Sequence, residues 1–445
     1  MNTQPNVLFI FADQLGATYM SCYGHPQVKT PQIDKYTEKA VLFQNAYTAT
    51  PLCTPFRGTL FTGRYPEQTG IVHNEMRVPR SEKTLASMFN DAGYNTSFYG
   101  KWHLSGNPRR TWVPPEERAG FSEFAGWDCG HVWHINQRYF DGDSPKTYTM
   151  AGHDTDGLTD LACERLQKQA DKEKPFCMFV SYQAPHPYCE PPEEYLSMYP
   201  EDTLQMRPTV DPESYNMWTD FGVPNRVRIS VKEWTRRYFG EISHLDAAIG
   251  RLLAKLEALK IEENTIVVIT ADHGEMNGAH GCYQKSVSYE EACRIPLILR
   301  VPGRNEGSKT EALFSSVDFL PTLLGLCGLP AAETAEGIDY SPLLLSKAGA
   351  PERKHLIMQL KDWGCIREGD IKLTMDIEGK EPRELYRIES DPYEQKNLVN
   401  DPGKSETIAR LQAAYREWLE DSRTRIGDAG EAGEISPALR DWKGD

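Results

Sequence analysis

The chain has no Cys-x-x-Cys pair, no basic excess, no long uncharged apolar run and no internal repeat. Its ten cysteines stand singly, at 22, 53, 129, 163, 177, 189, 282, 293, 327 and 365, which suits reduced thiols and excludes a zinc-ribbon or disulfide scaffold. A formal net charge of -15 argues against a nucleic-acid or anionic-membrane partner, so any anion site must be a local basic cluster in an acidic molecule. No stretch reads as a transmembrane helix, and Met1 to Asn6 carries neither a basic segment nor the apolar run of a signal peptide. Cytoplasmic residence is therefore expected, or periplasmic or secreted residence if a leader has been trimmed. The absence of a solenoid period excludes a repeat architecture.

What is present is the rhythm of an α/β protein. At 445 residues the chain exceeds one ordinary core, so a large domain over 1–350 and a smaller one over 351–445 are expected. Asn6 to Ala12, Thr96 to Tyr99, Pro175 to Ser181 and Thr265 to Ala271 are apolar runs of the kind seen in strands buried on both faces. Helical spacing marks Ser81 to Ala92, about Thr155 to Glu173, and Val231 to Lys260, where Trp234, Tyr238, Ile242, Leu245, Ile249, Leu252, Leu256 and Leu259 recur every three or four residues. Ile295 to Val301 adds a strand, and Val317 to Leu326 a helix interrupted near Pro321. The segments 105–153 and 191–224 are rich in Gly, Pro and aromatics, including His131 and Trp133, and read as long loops. After Ala350 the pattern becomes four short strands, 355–360, 364–367, 371–375 and 384–388, followed by a helix over Ser405 to Leu419 and a loose tail from Gly427.

Four of the buried runs end in polar residues: Asp13 with Gln14, Lys101 with His103, His186, and Asp272 with His273. Parallel strands deliver such ends to one edge of a sheet, where open α/β folds bind ligands. Asp13 and Asp272 with their Gln and His neighbours form an oxygen-rich set suited to a divalent cation. Pro51-Leu-Cys53-Thr-Pro55-Phe-Arg57-Gly-Thr-Leu-Phe-Thr62-Gly63 places Cys53 at the start of a short helix ended by glycine. There the helix dipole and unpaired N–H groups favour an anion and acidify a thiol. Arg57 follows one turn later on the same face.

This stretch resembles the signature of the formylglycine-dependent (type I) sulfatases, Cys-x-Pro-x-Arg followed by Thr-Gly, with Phe56 where the family usually has a small residue. Further similar pieces run from residue 6 to 398, among them Gly100-Lys-Trp-His103, Asp272-His-Gly-Glu through Lys285, and Glu384-Leu-Tyr386 with Asp391-Pro-Tyr-Glu394. The resemblance implies the alkaline phosphatase superfamily fold: a large mixed, mostly parallel sheet flanked by helices, with a small C-terminal α+β subdomain carrying an antiparallel sheet.

It further implies that a formylglycine-generating enzyme oxidises Cys53 to an aldehyde whose hydrate attacks a sulfate ester. Asp13, Gln14, residue 53, Asp272 and His273 would hold Ca2+. Gln14 stands for a common aspartate and His273 for a common asparagine, and imidazole also suits Mn2+ or Zn2+. Arg57 would hold the hydrated aldehyde, Lys101 and Lys285 the sulfate oxygens, His186 would protonate the leaving alcohol, and His103 would take the proton that lets sulfate depart. The expected activity is a sulfatase acting on a sulfate monoester of a carbohydrate, since aromatic-rich loops can stack on sugar faces. The alternatives are a phosphonate monoester or phosphodiester hydrolase of the same superfamily, and a non-catalytic anion- or sugar-binding protein.

Overall fold

In the computed structural model, residues 4–130, 134–216, 229–304 and 306–425 are described. The first half supplies strands β1 (Asn6–Asp13), β2 (Val41–Tyr47), β3 (Asn95–Lys101), β4 (Glu123–Trp127), β5 (Arg138–Asp141), β6 (Thr147–Thr149) and β7 (Phe176–Pro185). A two-stranded ribbon of β8 (Tyr215–Asn216) and β9 (Ile229–Ser230) precedes β10 (Thr265–Ala271), β11 (Leu297–Arg300) and β12 (Ser308–Ser315). Ten of these form one sheet in the order β12-β2-β11-β10-β1-β7-β3-β4-β5-β6. β10, β1, β7, β3 and β4 run parallel at its heart, while β11, β5 and β6 are antiparallel to their neighbours.

β1 is central because Val7 to Phe11 are wholly buried, as a strand covered on both faces requires. On one face lie the helices Pro31–Thr37, Asp154–Ala170 and Val231–Ala258, the last turning its apolar stripe from Tyr238 to Leu256 inward. On the other lie Cys53–Thr62, Leu85–Asp91 and Phe319–Leu326.

Several expectations shift. The 105–153 segment is not loop alone: Phe124, Ala125 and Trp127 are buried in β4, and β5 and β6 extend the edge. Its periodicity is weak because Gly126 lies against Gly100 of β3, where a Cβ would come within 2.0 Å of the Gly100 carbonyl oxygen. The 81–92 helix begins only at Leu85, capped by Thr84, whose hydroxyl accepts from Ser87 N at 3.2 Å. Pro321 does not interrupt its helix, since it falls in the first turn of Phe319–Leu326, where the missing N–H costs nothing. β2 and β12 have no counterpart among the expected strands. In 191–224 there are two short helical turns, Glu193–Leu196 and Glu201–Thr203; His131, Trp133, 217–224 and the tail from Gly427 lie outside the described residues.

The C-terminal strands β13 (Leu356–Leu360), β14 (Trp363–Glu368), β15 (Ile371–Asp376) and β16 (Pro382–Arg387) form an antiparallel sheet in sequence order. One face packs on the helix Ser405–Thr424 through Ile366, Leu373, Leu411 and Tyr415, and the other meets Tyr47 at the end of β2 together with Met276 and Cys293 between β10 and β11. Gln359 N donates to Ala49 O at 3.0 Å, a main-chain tie four residues ahead of Cys53.

Candidate active site

The four polar strand ends meet because β10, β1, β7 and β3 are consecutive, parallel and in register. Ala12 pairs with Ala271 and Gly100 with Ser181, so Asp13, Asp272, Lys101 and the residues after Pro185 emerge together. Asp272 Oδ1 accepts from Gln14 N at 2.9 Å and from His273 N at 2.8 Å, which fixes its rotamer. The helix Cys53–Thr62 points its N-terminus at this edge, with Leu52 extended as its cap and Gly63 left-handed at its end. Phe56 fits because it packs between Phe11 and Phe319, away from the cleft.

Cys53 Sγ lies 3.7 Å from Asp13 Oδ1 and 3.2 Å from His273 Nε2, wholly buried. Arg57 Nη2 is 3.2 Å from Asp13 Oδ2 and 3.6 Å from Asp272 Oδ2, and its Nη1 donates to Ser181 Oγ at 3.0 Å. Lys101 Nζ sits 2.6 Å from Asp13 Oδ2. From the opposite side Lys285 Nζ donates to Gln14 Oε1 and lies 3.2 Å from His186 Nε2. His186 Nδ1 is 2.6 Å from Pro187 O, and His103 Nε2 is 3.4 Å from Glu75 Oε2.

These placements set the charges. Burial opposes ionisation of Asp13, but Lys101, His186, Lys285 and Arg57 hold its carboxyl well below the usual range. Asp272 goes the other way: burial and then the Asp13 charge push it up to about 6. For Cys53, burial and Asp13 resist the thiolate, yet Lys285, Lys101 and His273 outweigh them and hold the thiol well below its ordinary value. Burial, then Lys285 and Lys101, drive His186 well down, so its ring is neutral. His103 is held well above the ordinary histidine value, since Cys129 and Glu75 overcome burial.

The donor set fits a divalent cation. One ligand atom each from Asp13, Cys53, Asp272 and His273 lies within 4.8 Å of the others, all buried. Asp272 Oδ2 accepts no hydrogen bond although it is shut off from solvent, a costly condition that a cation relieves. Two carboxylate oxygens favour a hard ion, while the ring nitrogen widens the choice toward Mn2+ or Zn2+. Gln14 stands beside this group with its amide oxygen turned to Lys285 and its amide nitrogen to Glu275.

All ten residues singled out from the sequence thus face one edge of the sheet. Others border the same edge without having been anticipated. Ser181 ends the apolar run from Phe176 to Val180 in the wholly buried β7 and was findable by the rule that located Asp13. Glu75, which also binds Arg109 Nη2 at 2.6 Å, and Cys129 beside His103 come from aperiodic loops that carry no sequence signal. Trp102, beside Lys101, is buried and stacks on Phe61 with ring centroids 5.5 Å apart, so it offers no face to a sugar.

The sulfatase family profile matches residues 5–329, and that of the N-sulphoglucosamine sulphohydrolase C-terminal region matches 278–421. An ulvan-active sulfatase of Formosa agariphila is 32% identical over 441 residues, covering 95% of this chain and 83% of that protein. The solved structure of a putative sulfatase from Bacteroides fragilis superposes with a TM-score of 0.84 at 25% identity, covering 97% of this chain and 98% of the other. Another, described as a complex with its substrate D-glucosamine-2-N,6-O-disulfate, gives 0.81 at 25% identity, covering 96% and 98%. With most of its length matched by the family profile and its fold shared with these structures, the chain belongs to the sulfatase family and is a sulfuric ester hydrolase of alkaline-phosphatase-like fold.

Proposed function

We propose that the protein hydrolyses a sulfate monoester carried on a carbohydrate, using Cys53 matured to formylglycine and a divalent cation, calcium first and manganese or zinc as alternatives. The observation that carries this is the Cys53 Sγ position, 3.2 Å from His273 Nε2 and 3.7 Å from Asp13 Oδ1, in the angle between Lys101 and Lys285. Support for a sugar substrate comes from the Formosa agariphila relative, named for activity on ulvan, and from the structural neighbour solved with a disulfated glucosamine.

In this reading Sγ stands where the hydroxyls of a hydrated aldehyde sit, and that hydrate supplies one hydroxyl to attack sulfur and a second whose deprotonation expels sulfate. Asp13, Asp272, His273 and residue 53, with Gln14 at their margin, would hold the cation, which when bound would supply positive charge to acidify the attacking hydroxyl. Arg57, anchored on Asp13, Asp272 and Ser181, orients residue 53 from one side. Lys101 and Lys285 face the sulfate oxygens and offset the charge that grows on them in the transition state. His186 Nε2 faces Lys285 Nζ, so this pair holds a proton at the leaving-group side and passes it to the departing alcohol. His103, oriented by Glu75 and charged at rest, must first give up its own ring proton before it takes that of the second hydroxyl.

Mass spectrometry of the peptide containing residue 53, on protein co-produced with a formylglycine-generating enzyme, tests the modification. Release of inorganic sulfate from a panel of sulfated oligosaccharides tests the substrate class. Faster turnover of an aryl phosphonate than of an aryl sulfate would reassign the enzyme as a phosphonate monoester hydrolase, and no turnover by fully modified protein would make it a binding protein.

A further inference from the structure

Behind His186, on the far side of the catalytic edge, three buried histidines gather around two acidic side chains that the reaction does not use. His153 caps the helix Asp154–Ala170, and Glu241 and His244 are three residues apart on one face of the long helix Val231–Ala258. A Glu-x-x-His spacing on a helix aims both side chains at one point, an arrangement used for metal ligands inside helix bundles. A ring nitrogen of His153, a carboxylate oxygen of Glu241 and a ring nitrogen of His244 lie within 4.8 Å of one another.

Their hydrogen bonding leaves two inward atoms open. Glu241 Oε1 accepts from Glu190 N at 2.8 Å and from His153 Nε2 at 3.3 Å, but Glu241 Oε2 is buried with no hydrogen-bond partner. His244 Nε2 is 3.1 Å from Asp156 Oδ2, while its Nδ1 is buried and unpartnered. Two wholly enclosed polar atoms without partners are costly, and such groups call for a ligand. His244 also has a carboxylate, Asp156, at the nitrogen that points away, and a carboxylate in that position fixes the tautomer that leaves Nδ1 free to coordinate. His153 Nδ1 accepts from Thr155 N at 3.3 Å, so an ion takes Nε2 in place of the proton shared with Glu241 Oε1. His134 takes no part, because Nδ1 donates to Asp154 Oδ1 at 2.8 Å and Nε2 to His186 O at 2.9 Å.

We propose that His153, Glu241 and His244 form a second metal site, separate from the Cys53 centre, that takes a borderline divalent transition ion of the Zn2+ class. The mixed N/N/O donor set is that of zinc rather than calcium, which prefers oxygen throughout. An ion there, holding Glu241 Oε2, fixes Glu241 against the Glu190 backbone and so steadies the 186–190 segment that carries His186. The role is structural and positioning, with no step of hydrolysis passing through it.

The test needs no turnover. Full-length protein exposed to Zn2+ and then dialysed is assayed for zinc by elemental mass spectrometry, and its crystals are measured on both sides of the zinc absorption edge. The expected results are an anomalous peak between His153, Glu241 and His244, zinc retained by Asp272→Asn, and zinc lost by Glu241→Gln and His244→Ala. Asp156→Asn alters a half-exposed side chain outside the core, so the fold persists, and its zinc affinity should fall about 10- to 100-fold. Absence of the peak from wild-type crystals, or wild-type affinity in Asp156→Asn, overturns the proposal even if the Glu241 and His244 variants do not fold.

Discussion

Two buried clusters of charge differ in how completely they are paired. At the strand tips, Asp13 and Asp272 face Arg57 and Lys101, yet Asp272 Oδ2 accepts no hydrogen bond and Asp13 Oδ1 faces a thiol. At the seam with the C-terminal sheet, Glu290 and Glu394 share Lys372, whose Nζ lies 3.0 Å from one and 2.8 Å from the other. Glu290 also receives Tyr47 OH at 2.6 Å, and Glu290 N donates to Glu394 Oε2 at 2.8 Å. The second network is a clasp between β2, the segment after β10, β15 and the segment beyond β16; its one oxygen without a hydrogen bond, Glu394 Oε1, has the Lys372 ammonium at 2.8 Å. The first carries open valences, and it is there that a cation and a reacting group belong. Burial and charge are shared by both; what distinguishes them is the reach of the nearest cation, 2.8 and 3.0 Å for Glu394 and Glu290 against 3.6 Å for Asp272 Oδ2.

The sharpest way to break this comparison is Cys53→Ala. Sulfate-ester turnover should fall by at least about 10⁴-fold, because the nucleophile is gone, while the melting temperature stays near wild type. A variant that keeps activity removes the strand-tip site from the chemistry. Next is Lys372→Met, which leaves the buried Glu290 carboxylate, with Glu394 beside it, without the ammonium they share. Urea unfolding should show a loss of about 3–5 kcal/mol, with kcat per folded molecule unchanged. If activity falls as far as stability, the clasp is part of the active site and the distinction fails. Lys101→Ala should reverse that signature: kcat/KM down about 10²- to 10³-fold in steady-state assays, with unfolding little altered.

The last test concerns pH, where the change per pH unit is smaller than the losses above. Burial, and then Glu290, push Glu394 up to about 8 despite Lys372, against an ordinary value of 4.5. The folded state therefore keeps a proton that the unfolded state has released, so this carboxyl lowers stability progressively as pH rises from about 4.5 through about 8. Below 4.5 both states hold the proton and the term vanishes. At its steepest the slope is about 1.4 kcal/mol per pH unit. Glu394→Gln should flatten stability across that window in denaturant titrations at several pH values. An unchanged slope would mean that another group titrates there.

Much of the site was legible because its chemistry lies at the ends of apolar runs. Asp13, Lys101, His186 and Asp272 each follow a strand that buries both faces, and parallel order alone brings such ends to one edge. β10 and the long helix were readable to within two residues for the same reason: strict apolar patterns leave little freedom. The loops carry no such period. Glu75 reaches His103 only after 74–77 folds beside Arg109, and β4 hides because Gly126 trades side-chain pattern for close contact with Gly100. The clasp was equally hidden, since Glu290 and Lys372 are 82 residues apart and neither stands out alone.

The amino-acid sequence by itself determined the class of fold, the family, the helix that presents Cys53 and the residues that ring it, because those are written in local periodicity and short motifs. Tertiary structure alone decided which oxygens remain unpaired, which histidines are neutral, and how the C-terminal sheet grips the catalytic core. Those properties depend on distances between remote segments and on the exclusion of water, which no local pattern encodes.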